Sequence, residues 1–344
     1  MADFRLTPDF KTIARFRKDN GKAIRSVCRH FVELCRQLDL FSQAIVAIDG
    51  SKFKAVNNRD KNFTSAKMER RKQQLEDSID RYLAALDSAD QEEHAVAETQ
   101  AIKLTEKIAA LKQRMAELKE LDVKMQAAPD KQLSLTDPDA RSMKTRGTGI
   151  VGYNVQTAVD TKHHLIVAQE VTNAGTDRDQ LSSMAKQART AMGIQDITAI
   201  ADRVYYKGEE ILACHEAGIT ALVPKSLTSN NKAKGLYDKS KFIYMADKDE
   251  YRCPAGQSLS KRYTSIEQGK TLYTYWNSGC RVCALKDQCT PGTERRFRRW
   301  EHEAVLDAMQ VRLNNMPEAM LISKQTVELM ITLLTTAMTA WKEG

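Results

Sequence analysis

Two short apolar segments of the sequence each lead directly into an aspartate. Residues 44–48 precede Asp49, and residues 197–201 precede Asp202. Runs this short, rich in β-branched and small apolar residues, predict buried strands, so each carboxylate is expected at the carboxyl end of a strand, where the chain turns. A single aspartate in that position more often only starts a turn. The recurrence of the pattern in two distant segments instead predicts one site built from both.

Carboxylates that converge at one edge of a sheet suit hard divalent cations. Mg²⁺ prefers oxygen ligands and keeps several waters, so a few carboxylates and a substrate phosphate hold it. Two such ions about 4 Å apart activate a nucleophile and stabilise the leaving oxygen in phosphoryl transfer. Four basic residues flank the aspartates and would pair with the backbone of double-stranded DNA. They are Lys52, Lys54, Arg203 and Lys207.

The composition is that of a globular protein with a modest basic bias. Among 344 residues, 42% are hydrophobic and 28% charged, which argues against a wholly disordered chain. The net charge of +8 favours a polyanionic partner, most simply nucleic acid. No run approaches 18 apolar residues and the N-terminus lacks an apolar signal core, so we expect a cytoplasmic protein with no membrane partner.

The seven cysteines include a cluster that could bind a metal. Cys280 and Cys283 have the two-residue spacing with which two thiolates grip one tetrahedral Zn²⁺, and Cys253 and Cys289 could complete four ligands. Such a zinc would be structural, because four thiolates leave no position open for catalysis. The irregular intervals leave free thiols as the alternative. His302, on a helix expected to begin near Arg299, is a spare ligand and more simply an ordinary polar residue.

The order of predicted elements indicates a mixed α/β protein with four segments. Residues 1–42 are helical; 43–224 carry strands and helices, with a helical hairpin at 64–126 that breaks near Asp90; 225–298 are Cys-rich; 299–344 are helical. Asp49 would leave the first strand and Asp202 the fourth. That is the layout of an RNase H-like core, although the order alone fits other α/β folds.

Several phrases resemble bacterial insertion-sequence transposases of the DDE type. They are VAIDGSKF at 46–53, GYNVQ at 152–156, ADR with two tyrosines at 201–206, YRCP at 251–254 with the three later cysteines, RWEHE at 299–303 and QTVE at 325–328. The resemblance covers about residues 8–328. It implies an RNase H-like sheet with a helical-hairpin insertion and a small zinc-ribbon-like Cys-rich insertion. Asp49, Asp202 and Glu328 would hold Mg²⁺ for DNA cleavage and strand transfer, and a homo-oligomer is expected.

The chain departs from the family pattern in three places. Members carry a helical domain before the point where this chain begins, and they have Gly where this chain has Val204, two residues after the second acid. After the third acid they continue with a His-Pro-aromatic-Gly segment, whereas Glu328 is followed by an apolar run. We therefore expect a truncated copy with impaired activity. The alternatives are a non-catalytic DNA-binding remnant acting at element ends and a zinc-stabilised helical interaction module.

Overall fold

The structure is a computed structural model that describes residues 9–41, 44–55, 59–89, 95–144, 149–225 and 230–329. By contacts the chain divides into two compact units. The first comprises residues 1–49, 157–169 and 177–344, and the second comprises 50–156 and 170–176. The predicted division into four segments stays a prediction.

The helices and strands of the described residues follow the mixed pattern that the sequence predicts. The helices are α1 Phe10–Asp19, α2 Gly21–Gln37, α3 Ser65–Ala89, α4 Ala95–Ala127, α5 Leu181–Met192, α6 Gly208–Glu216, α7 Lys286–Cys289 and α8 Glu303–Asn315. The strands are β1 Ile45–Lys54, β2 Asn62–Thr64, β3 Gln132–Ser134, β4 Arg141–Lys144, β5 Gly149–Asp160, β6 Ile166–Thr172, β7 Thr198–Ala201, β8 Thr220–Leu222, β9 Ile243–Met245, β10 Glu250–Arg252, β11 Ser258–Glu267, β12 Lys270–Trp276 and β13 Phe297–Trp300. A further helical run occupies 319–329.

The first unit is built on part of a six-stranded sheet with the order β4-β5-β1-β7-β8, in which β6 also pairs with β5. β1, β7 and β8 are parallel to one another. β5 runs antiparallel to β1, since the amide of Thr161 donates to the carbonyl of Ile45 at one end of the pair and the amide of Ala55 to the carbonyl of Val151 at the other. Parallel strands are normally covered on both faces, which explains why β1 and β7 read as continuous apolar runs.

Both faces of this sheet are packed against helices. Val46 and Ile48 of β1 join one cluster with Met184 of α5, and Val32 of α2 belongs to the same cluster. On the opposite face, Ile200 and Leu222 pack with Leu313 of α8 and with Ala319, where the helical run at 319–329 begins. The C-terminal part of the chain therefore covers the sheet face that carries the odd-numbered residues of β1, because Ile45 packs into the same cluster.

In α5 the sequence pattern identifies the helix correctly but not the residue at which it begins. Its fully buried residues Leu181, Met184, Ala185 and Ala188 recur at helical spacing, and it ends at Gly193, whose φ of 68° is the left-handed conformation that favours glycine. The sequence pattern predicts a helix over residues 177–192, but the helix begins only at Leu181, because the amide of Gln180 donates to the carbonyl of Asp177 in a turn that precedes it.

The first unit also contains a five-stranded antiparallel sheet with the order β13-β12-β11-β10-β9. Its core is mainly aromatic, with Tyr251, Tyr275 and Phe297 buried against one another. The helix expected near Arg299 is wrong at its start. Residues 297–300 pair with β12 because alternate side chains enter this aromatic core, and α8 begins only at Glu303.

The second unit contains the two helices of the predicted hairpin. α3 and α4 pack along each other, with an ion pair between Lys72 and Asp122 and an apolar cluster formed by Phe63, Met68 and Met125. Whether they are an insertion into a core fold remains a proposal. Among the helices of the described ranges, none has the length and apolar character that a membrane span requires.

We predict that Gly152→Ala destabilises the second unit strongly. A Cβ at Gly152 would lie 1.9 Å from the carbonyl oxygen of Phe53, and neither backbone can move without disturbing the β1–β5 pairing. We expect a loss of about 2–3 kcal/mol in the free energy of unfolding, measured by urea denaturation.

Gly149→Ala in the same strand is the matched control. A Cβ there has its nearest neighbour, the carbonyl oxygen of Met143, at an ordinary 3.6 Å. We expect its effect to stay below about 1 kcal/mol. Equal losses in the two variants would contradict the steric explanation.

Candidate active site at the carboxyl ends of parallel strands

Asp49 and Asp202 directly follow the last paired residues of two neighbouring parallel strands. Those paired residues are Ile48 of β1 and Ala201 of β7, and each aspartate is the next residue of the chain. Neighbouring strands are about 4.8 Å apart, and residues in the same register point to the same face. The structure thus brings the two acids together on the face covered by the C-terminal part of the chain.

The sequence prediction for Asp49 is wrong in one respect. β1 does not end at Asp49 but continues to Lys54, because β5 still pairs with it beyond that point. The hydroxyl of Thr157 donates to the carbonyl of Asp49 at 3.3 Å within this pairing. Asp49 therefore marks the end of the parallel pairing with β7 rather than the end of its strand, and its side chain is half-buried.

Asp202 follows the last residue of β7 and caps the next turn. Its carboxylate accepts a hydrogen bond at 2.8 Å from the amide of Val204, in a short 3-10 turn, Arg203–Tyr205. Val204 is not among the described residues with positive φ, so the β-branched side chain causes no backbone strain there. Tyr205 is fully buried and fixes the turn to the core, while Asp202 stays exposed.

Glu328 is not brought to the two aspartates in the described structure. In the helical run at 319–329 the buried residues Ala319, Ser323 and Thr326 form one stripe, and Glu328 lies about 200° around the helix from Thr326. Its carboxylate is exposed and lies 3.7 Å from the ammonium of Lys324. Residues 330–344, where the departure from the family pattern continues, lie outside the described residues.

Within the described ranges, no three His, Cys, Asp or Glu side chains are arranged to hold a metal ion. The four cysteines of the predicted zinc site, Cys253, Cys280, Cys283 and Cys289, do line one cavity of about 20 Å³, and burial raises the pKa of the Cys289 thiol. The zinc site is nevertheless not confirmed, because the thiols share a cavity without forming a ligand set.

The four basic residues predicted to contact DNA differ in what they touch. Arg203 and Lys54 are exposed. The ammonium of Lys52 donates to the carbonyl of Lys144 at 3.0 Å. Lys207 forms an ion pair with Asp179, whose hydrogen bond raises the pKa of Lys207.

A charged cluster near the same edge was missed by the sequence reasoning. Lys225 follows β8 and lies against the hydroxyl of Tyr206, four residues after Asp202. The carboxylate of Glu303, only 8% exposed, accepts hydrogen bonds from Lys225 at 3.4 Å and from Lys239 at 3.1 Å. Glu303 belongs to the RWEHE phrase, but no pattern in the sequence indicates that two distant lysines reach it.

The cluster keeps its groups ionised despite burial. Burial raises the pKa of Glu303, but attraction by Lys239 and Lys225 outweighs it, and the net pKa lies below the usual value. Burial likewise lowers the pKa of Lys225, and the neighbouring Tyr206 and Glu303 more than reverse this effect. Two lysines against one carboxylate leave a local positive charge beyond the ends of β7 and β8.

A mixed sheet with two acids after neighbouring parallel strands defines the α/β class, in which ligands generally bind at the carboxyl ends of the parallel strands. The family described as "Transposase DDE domain" matches residues 120–326, more than half of the chain. The chain therefore belongs to the DDE transposase-domain family, as the resemblance predicts. The matched range contains Asp202 and the Glu303 cluster but neither Asp49 nor Glu328. Neither a curated protein nor a solved structure matches the chain.

We predict that Glu303→Gln lowers stability in a pH-dependent way. A carboxyl whose pKa is lowered by folding stabilises the protein above its unfolded pKa of about 4.3, and this contribution disappears as the pH falls through the folded value. At pH near 7 the variant should lose about 1–3 kcal/mol in urea unfolding, because the amide oxygen that replaces the carboxylate carries no charge to pair with the two lysines.

Glu318→Gln serves as control, since Glu318 is exposed in the same part of the chain. Its effect should be small at every pH. A loss for Glu303→Gln that persists unchanged in acid would show that the ion pairs are not its cause.

Proposed function

We propose that this chain is a DDE transposase that catalyses Mg²⁺-dependent cleavage and strand transfer of an insertion sequence in double-stranded DNA. The observation that carries the proposal is the register of β1 and β7, which puts Asp49 beside Asp202. Membership in the DDE transposase-domain family supports the reaction class.

The strand order supports an RNase H-like core. β6, β5 and β1 form the antiparallel part, and β1, β7 and β8 form the parallel part, so the first acid leaves a strand next to the one that carries the second. In this proposal α3 and α4 are an inserted helical hairpin and the five-stranded sheet with the cysteine cavity is a second insertion.

The two aspartates fit a hard divalent cation. Both offer carboxylate oxygens on one face of the sheet, one half-buried and one exposed, which leaves room for the waters and phosphate oxygens that Mg²⁺ retains. When bound, Mg²⁺ would supply activation of the attacking oxygen and stabilisation of the leaving oxygen. The protein's own part is to hold the two carboxylates in register, and Tyr205 anchors the turn that Asp202 caps.

Glu328 is proposed as the third acid on the resemblance alone. Its helical run already packs on the face of the sheet that carries Asp49 and Asp202. In the described structure its carboxylate points away from the buried stripe of that helix. Participation of Glu328 therefore requires the helix to rotate about its axis or to rearrange beyond residue 329.

We predict that the chain nicks supercoiled plasmid carrying candidate terminal repeats when Mg²⁺ or Mn²⁺ is present. Asp49→Ala and Asp202→Ala should each lower the nicking rate at least about 100-fold, because the remaining carboxylate would no longer hold the ion in place. DNA affinity, measured by fluorescence anisotropy, should change little. Asp196→Ala is the matched control, since Asp196 is exposed and precedes β7, at the opposite end of that strand from Asp202.

The variant Glu328→Gln tests whether Glu328 takes part in the reaction as the third acid. A loss as large as that of Asp202→Ala would place Glu328 in the reacting centre, whereas an unchanged rate would remove it. DNA binding by the unmodified chain without metal-dependent nicking would instead favour the second candidate function, a non-catalytic DNA-binding remnant. The specific observation in favour of that candidate is the separation of Glu328 from the aspartates.

Phosphate contacts are proposed for Lys52, Lys54, Arg203 and Lys207, and their contributions should be unequal. Lys54 is exposed, whereas Lys207 must give up Asp179 to reach a phosphate. We predict that Lys54→Ala weakens binding evenly across DNA sequences and reduces the slope of log affinity against log salt by about 1. Lys207→Ala should reduce it by less. The opposite ranking, measured by a salt titration of binding, would contradict the assignment.

A further inference from the structure

α2 and its C-cap carry an apolar stripe that is largely exposed. The stripe, called the α2 seam below, consists of the exposed residues Val27, Phe31, Leu34 and Leu38 and of Ile24, which is half-buried. Val27 is 67% exposed, Phe31 and Leu34 are each 51% exposed, and Leu38 is 62% exposed. Single exposed apolar residues are ordinary on protein surfaces, but a contiguous stripe of large ones marks an interaction site.

The seam is not the face that anchors α2 to its own unit. Val32 and Cys35, which are 8% and 3% exposed, lie in the main core cluster with residues of α5, against which α2 packs. α2 is thus already fixed to the core by one face. The seam is a second apolar face of the same helix, and the fold of the unit does not require it to be apolar.

The spacing of the seam is that of a coiled-coil contact. Its residues follow one another at steps of three, four, three and four, which are the a and d positions of a heptad repeat. Ile24, Phe31 and Leu38 take position a, and Val27 and Leu34 take position d. This pattern favours another helix as the occupant, packed at a shallow crossing angle, rather than a strand or a flat surface.

The charges around the seam favour a second copy of the same helix. Positions e and g, which flank the contact in a helix pair, hold Ala23, Cys28, His30 and Gln37 together with Cys35, which is buried in the core of its own unit; none of them is a lysine, arginine or acid. The cations of α2, Lys22, Arg25, Arg29 and Arg36, fall at positions b and f, away from the seam. Two copies can therefore approach without placing like charges opposite each other, and no pattern of charge selects a different partner.

We propose that two copies of this chain pair through the α2 seam, α2 against α2, about a two-fold axis. A two-fold contact uses the same patch on both copies. The seam suits such a contact because both halves of its length carry apolar residues. It extends over little more than two heptads, so the pairing is modest, with a dissociation constant on the order of 10 µM. The inference names a surface for the proposed homo-oligomer and depends on no step of the DNA chemistry.

The test is sedimentation velocity of the full chain over concentrations on both sides of about 10 µM, without DNA or divalent metal. The unmodified chain should shift from monomer to dimer as the concentration rises. Leu34→Asp should weaken the dimer at least about tenfold, because it buries a carboxylate at a d position. Phe31→Ser is a second variant, which removes the ring without adding charge and should weaken the dimer in the same direction.

Ile266→Asp is the matched control, because Ile266 is 78% exposed and lies on β11, far from α2 in the sequence. It introduces the same charge and should leave the association unchanged, while circular dichroism checks that each variant keeps its fold. A chain that stays monomeric throughout, or a dimer that Leu34→Asp and Phe31→Ser leave intact, would overturn the proposal. Because the assay contains no DNA, its failure is distinguishable from a failure of the proposed transposase activity.

Discussion

The parallel pairing of β1 with β7 is the interaction on which the rest of the site depends. It sets Ile48 opposite Ala201 and thereby places Asp49 beside Asp202 on one face of the sheet. A slip of one residue in that pairing would send one of the two carboxylates to the opposite face, among the helices that pack there. The register is held by burial, since Val46 and Ile48 fill one side of the sheet and Ile200 fills the other.

The carboxyl ends of the parallel strands combine two acids with a cluster of lysines that is only partly compensated by Glu303. The aspartates follow β7 and the parallel part of β1, while Lys225 follows β8 and shares Glu303 with Lys239. Because Glu303 is buried, its ion pairs hold the loop after β8 to the start of α8. We infer that the ion pairs of Glu303 fix the position of the segment after β8. They leave one lysine charge uncompensated at the end of the sheet where the two aspartates lie. For a polyanionic substrate such a charge favours approach of the phosphate backbone.

Much of the fold could be predicted from residue patterns because those patterns report burial. The apolar runs at 44–48 and 197–201 and the helical spacing of Leu181, Met184 and Ala188 all correspond to observed elements. Element ends were less predictable. β1 continues past Asp49 because a partner strand, β5, is there to accept its hydrogen bonds, and Arg299 lies in a strand because its neighbours complete an aromatic core. Neither partner is visible in the local sequence.

The sequence by itself determined which side chains are available: two acids after apolar strands, a cysteine group, a basic surface and a heptad stripe on α2. These features follow from residue type and short-range spacing, which do not depend on how the chain folds. Only the tertiary structure decided which of them meet. It brings Asp49 to Asp202 through strand pairing, turns Glu328 outward through the phase of its helix, and leaves the α2 seam exposed because the other face of α2 already fills the core. Distances between residues far apart in the sequence are set by packing, and packing is a property of the whole chain.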